Sequence, residues 1–205
     1  QRIIGILKMK SMMKAITYSE FGISNDVLKI TELPIQKAGK GEVLVSLKFS
    51  GSNPSDAKSR AGNRPGVKKP QFEQIVPNSD GSGVITDVGE GVDESRVGQR
   101  VWIWNGQWQR PNGTAAEYIT IPSIQAVEMP NDMSFETGAC LGIPGLTASY
   151  CTLGDGALGG KTVFVSGGAG AVGHTCIQLA KWSGATVIAS GSENGFGHIR
   201  EAGAD

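Results

Sequence analysis

Three glycines at fixed spacing are the most specific chemical feature of the sequence. Gly168, Gly170 and Gly173 satisfy the pattern G-x-G-x-x-G, between the apolar run 162–166 and a stretch of helical periodicity. In a strand-turn-helix context the first glycine permits a tight turn, the second lets backbone N–H groups approach a pyrophosphate, and the third lets helix and strand pack closely. A sharp turn without a ligand would use the same glycines. We predict a dinucleotide-binding turn made of Gly168, Ala169, Gly170, Ala171, Val172 and Gly173.

The end of the next predicted strand bears on the choice between NADH and NADPH. NADH sites usually carry an Asp or Glu about 20 residues after the glycines, where it holds the ribose 2′-OH. Here Ser190 and Ser192 stand at the strand end, and their hydroxyls can donate hydrogen bonds to a 2′-phosphate, with Lys181 or Arg200 as counter-charges. NADPH is therefore the predicted cofactor, although Glu193 keeps NADH open.

The elements around this turn predict two domains. Short β-rich runs separated by turn residues extend from residue 14 to about 130, which is typical of a barrel. Helical spacing over 134–153 follows, and then two strands at 162–166, predicted to be buried on both faces, and 186–190. The predicted fold class is α/β plus β: a tail of residues 1–12, a β-barrel domain over 13–131, and the first part of a Rossmann doubly wound parallel sheet over 132–205.

Composition excludes several other classes of protein. The 205 residues carry 19 basic and 19 acidic side chains, which argues against nucleic-acid binding and against disorder. No run approaches the roughly 18 apolar residues of a membrane helix, so no membrane partner is expected. Three widely spaced cysteines argue against a disulfide framework and indicate a cytoplasmic protein; we expect all three to be small core residues.

Motifs along the chain resemble those of one enzyme family. They are Phe21-Gly22, Ser52-Asn53-Pro54-Ser55-Asp56, Asn78-Ser79-Asp80-Gly81, Val88-Gly89-Glu90-Gly91, Ile143-Pro144-Gly145-Leu146-Thr147, the glycine turn and Gly203-Ala204-Asp205. With them the chain resembles, from Met13 to its last residue, the zinc-independent, zeta-crystallin-like quinone oxidoreductases of the medium-chain dehydrogenase/reductase superfamily. The resemblance implies a GroES-like barrel and a Rossmann domain, with NADPH and substrate meeting in the cleft between them. It also implies that the chain is a C-terminally truncated form of a longer, homodimeric enzyme, and we expect the truncated chain to be inactive on its own.

The resemblance further implies a site without a metal. Zinc-dependent relatives have Cys and His ligands where this chain has Gly51-Ser52-Asn53 and Asn78-Ser79-Asp80, and two histidines cannot complete a tetrahedral N/S cage. The implied substrate is a quinone or another α,β-unsaturated carbonyl, whose acceptor carbon is already electrophilic. By similarity, Thr147 lies near the nicotinamide.

The segment that begins at Asn53 has two interpretations of equal weight. By similarity, the Asn53 amide is the catalytic donor to the developing oxyanion. On its own, Asn at the N-cap with Pro54 after it and an acid at Asp56 is a helix start. For Asp56 we expect capping.

Departures from the family leave alternatives open. Lys58 stands where relatives often carry a tyrosine, and Trp104 or Trp108 could supply an aromatic wall instead, although strand-end tryptophans are more often packing residues. A 2-enoyl thioester reductase is the second alternative, and it would need basic residues to bind the carrier of its thioester substrate. Arg64, Lys68 and Lys69 could supply them, but a solvated loop explains these residues equally well. A non-catalytic NADPH-binding protein is the third alternative.

Overall fold

The structure, a computed structural model, describes residues 11–205. Antiparallel strands form the first of its two units. A hairpin pairs β1 (Met12–Thr17) with β2 (Lys29–Pro34). The remaining strands form one antiparallel sheet in the order β6-β3-β4-β5-β7. They are β3 (Glu42–Gly51), β4 (Asp80–Val88), β5 (Arg100–Ile103), β6 (Tyr118–Pro122) and β7 (Ala126–Glu128).

One face of this sheet carries the core of the first unit. Its inward side chains are β-branched or small, as strands favour. They are Val43, Val45, Ile85, Val101, Ile103, Ile119, Ile121 and Ala126. Three short helices complete the unit: α1 (Ser24–Val27), α2 (Pro54–Arg60) and α3 (Phe135–Gly138).

The second unit, Ile143–Asp205, contains a β-α-β arrangement. β8 (Thr162–Val165) pairs in parallel with β9 (Thr186–Ala189), and α5 (Ala171–Trp182) connects them, while α4 (Gly142–Leu153) and α6 (Phe196–Glu201) pack beside them. Ala148, Ile177 and Val187 are fully buried in its core. The predicted fold class is confirmed: a unit with an antiparallel sheet precedes a partial Rossmann-like unit with two parallel strands.

The predicted helix over 134–153 is two helices in the structure. α3 ends at Gly138 and α4 begins at Gly142. A continuous helix would set the Pro144 ring against the carbonyl of Cys140, four residues earlier, and Pro144 has no N–H to donate there. In the observed arrangement Pro144 lies in the first turn of α4, where proline is tolerated.

The division between the units also falls later than the predicted boundary at 131/132. It lies between Gly142 and Ile143, because α3 packs on β4 and β5. The Ser82 hydroxyl donates to the Phe135 carbonyl, which ties this segment to the sheet. At the other end, β1 starts at Met12, inside the predicted tail, while residues 1–10 of that tail lie outside the described residues.

Burial differs from expectation in the second unit. We expected strand 162–166 to be buried on both faces, but Phe164 is 65% exposed and Ile188 on β9 is 52% exposed. Within residues 143–205 the helices leave this face of the two-stranded sheet uncovered. Of the cysteines, Cys176 is buried as expected, whereas Cys140 and Cys151 are exposed, so the expectation was wrong for these two.

Candidate functional site

The predicted dinucleotide-binding turn connects β8 to α5. Gly167 has a φ of +70°, so the left-handed residue of the turn lies one position before the G-x-G-x-x-G pattern. Gly168 is buried instead, and a Cβ there would lie 2.8 Å from Ile177 Cδ1 and 3.1 Å from Ala189 Cβ. The first glycine of the pattern therefore allows strand, helix and turn to approach closely.

The other two glycines of the pattern differ in their surroundings. A Cβ on Gly173 would lie 2.3 Å from the Gly167 carbonyl oxygen, so the first turn of α5 packs directly on the backbone of the loop. A Cβ on Gly170 would meet only the Gly167 oxygen, at 3.4 Å. The space beside Gly170 is therefore open, as an approaching pyrophosphate requires.

Backbone amides line the start of α5. The His174 N–H donates to the Gly170 carbonyl at 2.8 Å and closes the first turn of the helix. The N–H groups of Ala171, Val172 and Gly173 precede that bond, so they have no acceptor within the helix. Amides and helix dipole together make this end of α5 suited to an anion.

The two predicted serines follow β9 next to the turn. The Gly168 N–H donates to the Ser190 carbonyl at 2.8 Å, and the Ser190 N–H donates to Val165 at 3.0 Å. Ser192 is exposed and precedes a short 3-10 helix, Glu193–Gly195. These bonds fix the strand end at the glycine turn.

Lys181 is not at the strand end. It lies in the last turn of α5 and contacts both Asp205 carboxylate oxygens, at 2.8 and 2.9 Å. Our expectation of Lys181 as a counter-charge for a 2′-phosphate was therefore wrong, because the helix separates it from the glycine turn. Arg200, on α6, remains the predicted counter-charge for the 2′-phosphate.

A stacked histidine pair lies beside the turn. The rings of His174 and His198 have centroids 3.9 Å apart and are nearly parallel. Gln178 Nε2 lies 2.9 Å from His174 Nε2. Burial lowers the pKa of His174, and the charge of His198 lowers it further. The pairing joins α5 to α6 and was not predicted, since 24 residues separate the two histidines.

In the first unit, Asn53 begins α2 as the N-cap. The Asn53 N–H donates to Asp56 Oδ2 at 2.8 Å, and Pro54 is the first helical residue. Burial raises the pKa of the Asp56 carboxyl, against the lowering effect of its hydrogen bonds with Asn53 and of the charge of Arg64. The predicted helix start is therefore present.

Asp80 is the partner of the Asn53 side chain. β3 ends at Gly51 and β4 begins at Asp80, and these two residues face each other in the antiparallel register. Asn53 Nδ2 donates to Asp80 Oδ2 at 2.8 Å, and both residues are buried. We assigned no role to Asp80 from the sequence; the available signal was an acid at the first position of a strand.

Thr147 and the tryptophans lie in different surroundings. Thr147 is exposed on α4, which packs through Ala148. Trp104 is half-buried and its Nε1 donates to the Ile124 carbonyl at 3.3 Å, consistent with packing. Trp108 is 56% exposed.

The loop that carries Trp108 is fixed at its ends. Gln125 Nε2 donates to the carbonyls of Trp104 and Asn105, at 2.9 and 3.2 Å. Arg110 Nη2 donates to Gln125 Oε1 at 2.6 Å. Of Trp104 and Trp108, it is therefore Trp108 that can still present an aromatic face.

Two further observations concern residues 11–205. No three His, Cys, Asp or Glu side chains in this range are grouped so that they could hold a metal ion. None of its helices is both long and apolar enough to cross a membrane.

Comparison with known proteins finds similarity to oxidoreductases. Residues 39–131 match the alcohol dehydrogenase GroES-like domain. The chain is 31% identical to quinone oxidoreductase of Rattus norvegicus over 198 residues, which cover 95% of this chain and 58% of that protein. It is 30% identical over 200 residues to the chloroplastic NADPH-dependent alkenal/one oxidoreductase of Arabidopsis thaliana, covering 94% of this chain and 51% of that protein.

Solved structures agree with these similarities. The structure of a mycobacterial protein complexed with NADPH has a TM-score of 0.80 and 31% identity, covering 94% of this chain and 57% of that one. The chain thus spans little more than half the length of the proteins it matches.

Proposed function

Because the chain belongs to the quinone oxidoreductase-like family of the medium-chain dehydrogenase/reductase superfamily, we propose that it acts as an NADPH-dependent oxidoreductase on quinones or other α,β-unsaturated carbonyls. The observation that carries this proposal is the glycine turn, where open space beside Gly170 adjoins the amides of residues 171–173. The relatives named for quinone and alkenal/one substrates support the substrate class, and the mycobacterial complex supports NADPH.

The residues of the second unit fit a dinucleotide. The pyrophosphate would accept hydrogen bonds from the N–H groups of Ala171, Val172 and Gly173. Ser190 and Ser192 would donate to the 2′-phosphate, with Gly168 and Ala169 forming the floor of the turn. Thr147 would contact the nicotinamide. When bound, NADPH supplies the hydride.

Asn53 is the proposed catalytic residue of the first unit. Hydride addition to the electrophilic carbon shifts an electron pair onto the carbonyl oxygen of the substrate. Asn53 Nδ2 would donate a hydrogen bond to this oxygen, and an amide keeps its protons at any working pH. A proton from solvent then completes the hydroquinone or saturated ketone. We propose that no metal takes part.

Steady-state NADPH oxidation tests the proposal. A full-length form, as the resemblance implies it, is assayed with a quinone, an enone and a 2-enoyl thioester, and its Asn53→Ala variant is assayed in the same way. We expect oxidation with a quinone or enone, and a loss of about 10²-fold in kcat in the variant, the usual effect of removing one oxyanion donor. Turnover restricted to the thioester would select the enoyl thioester reductase, whereas NADPH binding without oxidation would select a binding protein.

Two further features stay predictions. A cytoplasmic location rests on the cysteine usage alone. A homodimer of a full-length form rests on the family resemblance, and sedimentation of that form would test it.

A further inference from the structure

The pocket around Asp80 is built to hold a carboxylate. The side chain is 1% exposed, and glycines stand on two sides of it. A Cβ on Gly142 would lie 2.1 Å from Asp80 Oδ1, and a Cβ on Gly51 would lie 3.1 Å from Asp80 Cβ. A larger residue at Gly142 would displace the carboxylate, whereas a Cβ on Gly51 would first collide with the Ala139 carbonyl oxygen, 2.1 Å away.

The backbone of Asp80 is fixed as well. Thr114 Oγ1 donates to the Asp80 carbonyl at 2.6 Å. The hydroxyls of Thr114 and Ser50 are 2.9 Å apart, and Asn78 Nδ2 donates to Ser50 Oγ at 3.0 Å. This network, together with the β3–β4 register, leaves the Asp80 side chain little freedom.

A fixed carboxylate determines which end of a neighbouring amide faces it. The two ends of an Asn side chain have nearly the same shape but opposite hydrogen-bonding character. An ionised carboxylate only accepts, so it binds the NH₂ end of Asn53 and repels the carbonyl end. The 2.8 Å bond from Asn53 Nδ2 has this orientation.

We infer that Asp80 is a positioning residue for Asn53, which holds the amide so that its nitrogen serves the oxygen of the substrate. The inference rests on the proposed function. An amide nitrogen carries two N–H donors, so one stays with Asp80 while the other donates to the developing oxyanion. Without the carboxylate, only the capping bond from the Asp56 backbone N–H to the Asn53 side chain would favour this orientation. The amide could then turn more readily and offer its carbonyl oxygen, which would repel that charge.

Asp80→Asn is the matched perturbation, because it keeps the shape of the side chain and removes its preference for the NH₂ end of Asn53. An amide at position 80 accepts from the Asn53 nitrogen or donates to the Asn53 oxygen, so both orientations are populated. We expect kcat to fall by about tenfold, part of the loss caused by removing the donor, with KM for NADPH unchanged. Asp87→Asn is the control: Asp87 lies exposed on the same strand, and within residues 11–205 its side chain accepts a hydrogen bond only from the adjacent Val88 N–H.

A double-mutant cycle separates positioning from a merely structural role. If Asp80 acts through Asn53, Asp80→Asn should cause no further loss of kcat in the Asn53→Ala background. Additive losses in the double variant, or a wild-type kcat in Asp80→Asn, would overturn the inference.

Solvent exchange of the Asn53 side-chain amide gives a readout without turnover. We expect its NMR signals, identified by their absence in Asn53→Ala, to exchange at least tenfold faster in Asp80→Asn and unchanged in Asp87→Asn. Equal exchange rates in wild type and Asp80→Asn would refute the positioning. If Asp80→Asn does not fold, the exchange rate of the Asn53 amide in the wild type tests the inference. Exchange as fast as that of the exposed Asn63 amide would show that the Asn53 amide is not held. A protein that oxidises no NADPH refutes the proposed function, whereas the exchange rates still show whether Asp80 holds the amide.

Discussion

Two glycines three residues apart in the turn should respond to substitution in opposite ways. Gly170 has φ −80° and ψ 160°, a conformation that any residue adopts, and a Cβ there meets only one atom, at 3.4 Å. Gly173 has no such room, because its Cβ would lie 2.3 Å from the Gly167 oxygen, 2.9 Å from the Gly167 carbonyl carbon and 3.0 Å from Gly168 Cα. All three of these atoms are backbone and cannot rotate away.

The expected sizes follow from this geometry. Gly173→Ala forces the helix away from the turn, and overpacking of this kind lowers the free energy of unfolding by about 1–3 kcal/mol. Gly170→Val changes an N-cap that makes no side-chain hydrogen bond, so we expect a cost below about 1 kcal/mol. Its branched side chain would however occupy the space for the pyrophosphate, and NADPH affinity should fall at least tenfold, about 1.4 kcal/mol.

Urea denaturation and fluorescence titration with NADPH measure the two effects on the same variants. Each variant serves as the control of the other, since one is expected to lose affinity in a folded protein and the other to lose stability. A Gly170→Val protein that is folded and binds NADPH like the wild type would show that the pyrophosphate does not lie at this turn. A Gly173→Ala protein of wild-type stability would refute the packing argument.

The remaining predictions concern coenzyme preference, metal and pH. The neutral strand end at Ser190 and Ser192 predicts binding of NADPH at least tenfold tighter than of NADH, about 1.4 kcal/mol; equal dissociation constants in a titration would contradict it. Activity should persist in a chelator, and metal analysis that finds one tightly bound zinc per chain would contradict that expectation. Because burial lowers the pKa of His174 below its ordinary 6.5 in the folded state, the unfolded chain takes up the proton first. The free energy of unfolding should therefore fall as the pH falls from about 6.5 through the folded pKa. Urea titrations should show this slope flattened in His174→Gln.

Local sequence patterns predicted most of the second unit. The apolar run, the glycines and the following helical spacing each agree with β8, the turn and α5, because hydrophobic period and turn chemistry are local properties. Two strands of the first unit, β2 and β7, have little in the local sequence that marks them as strands. β2 carries polar residues at three of its six positions, ends in proline and buries little. β7 has only three residues, so neither strand has a strong pattern.

Contacts between distant residues could not be predicted in this way. Asn53 and Asp80 meet because β3 and β4 are neighbours with a particular register, and that register depends on the packing of the whole sheet. His174 and His198 stack because α6 folds back beside α5. In each case the residue types were visible in the sequence, but the partner was set by tertiary structure.

The high glycine content has a physical explanation that joins both candidate sites. Ten glycines among residues 11–205 have a positive φ, so turns account for only part of the thirty in the sequence. Others stand where a side chain would collide with backbone or with a buried polar group: Gly173 against the Gly167 carbonyl, and Gly51 and Gly142 around Asp80. Close approach is what both proposed chemistries need, since one presents bare amides to a phosphate and the other encloses a carboxylate that orients an amide. Glycine contributes no side-chain packing at these positions. Because it has no side chain, the polar groups can lie within hydrogen-bond distance of their partners.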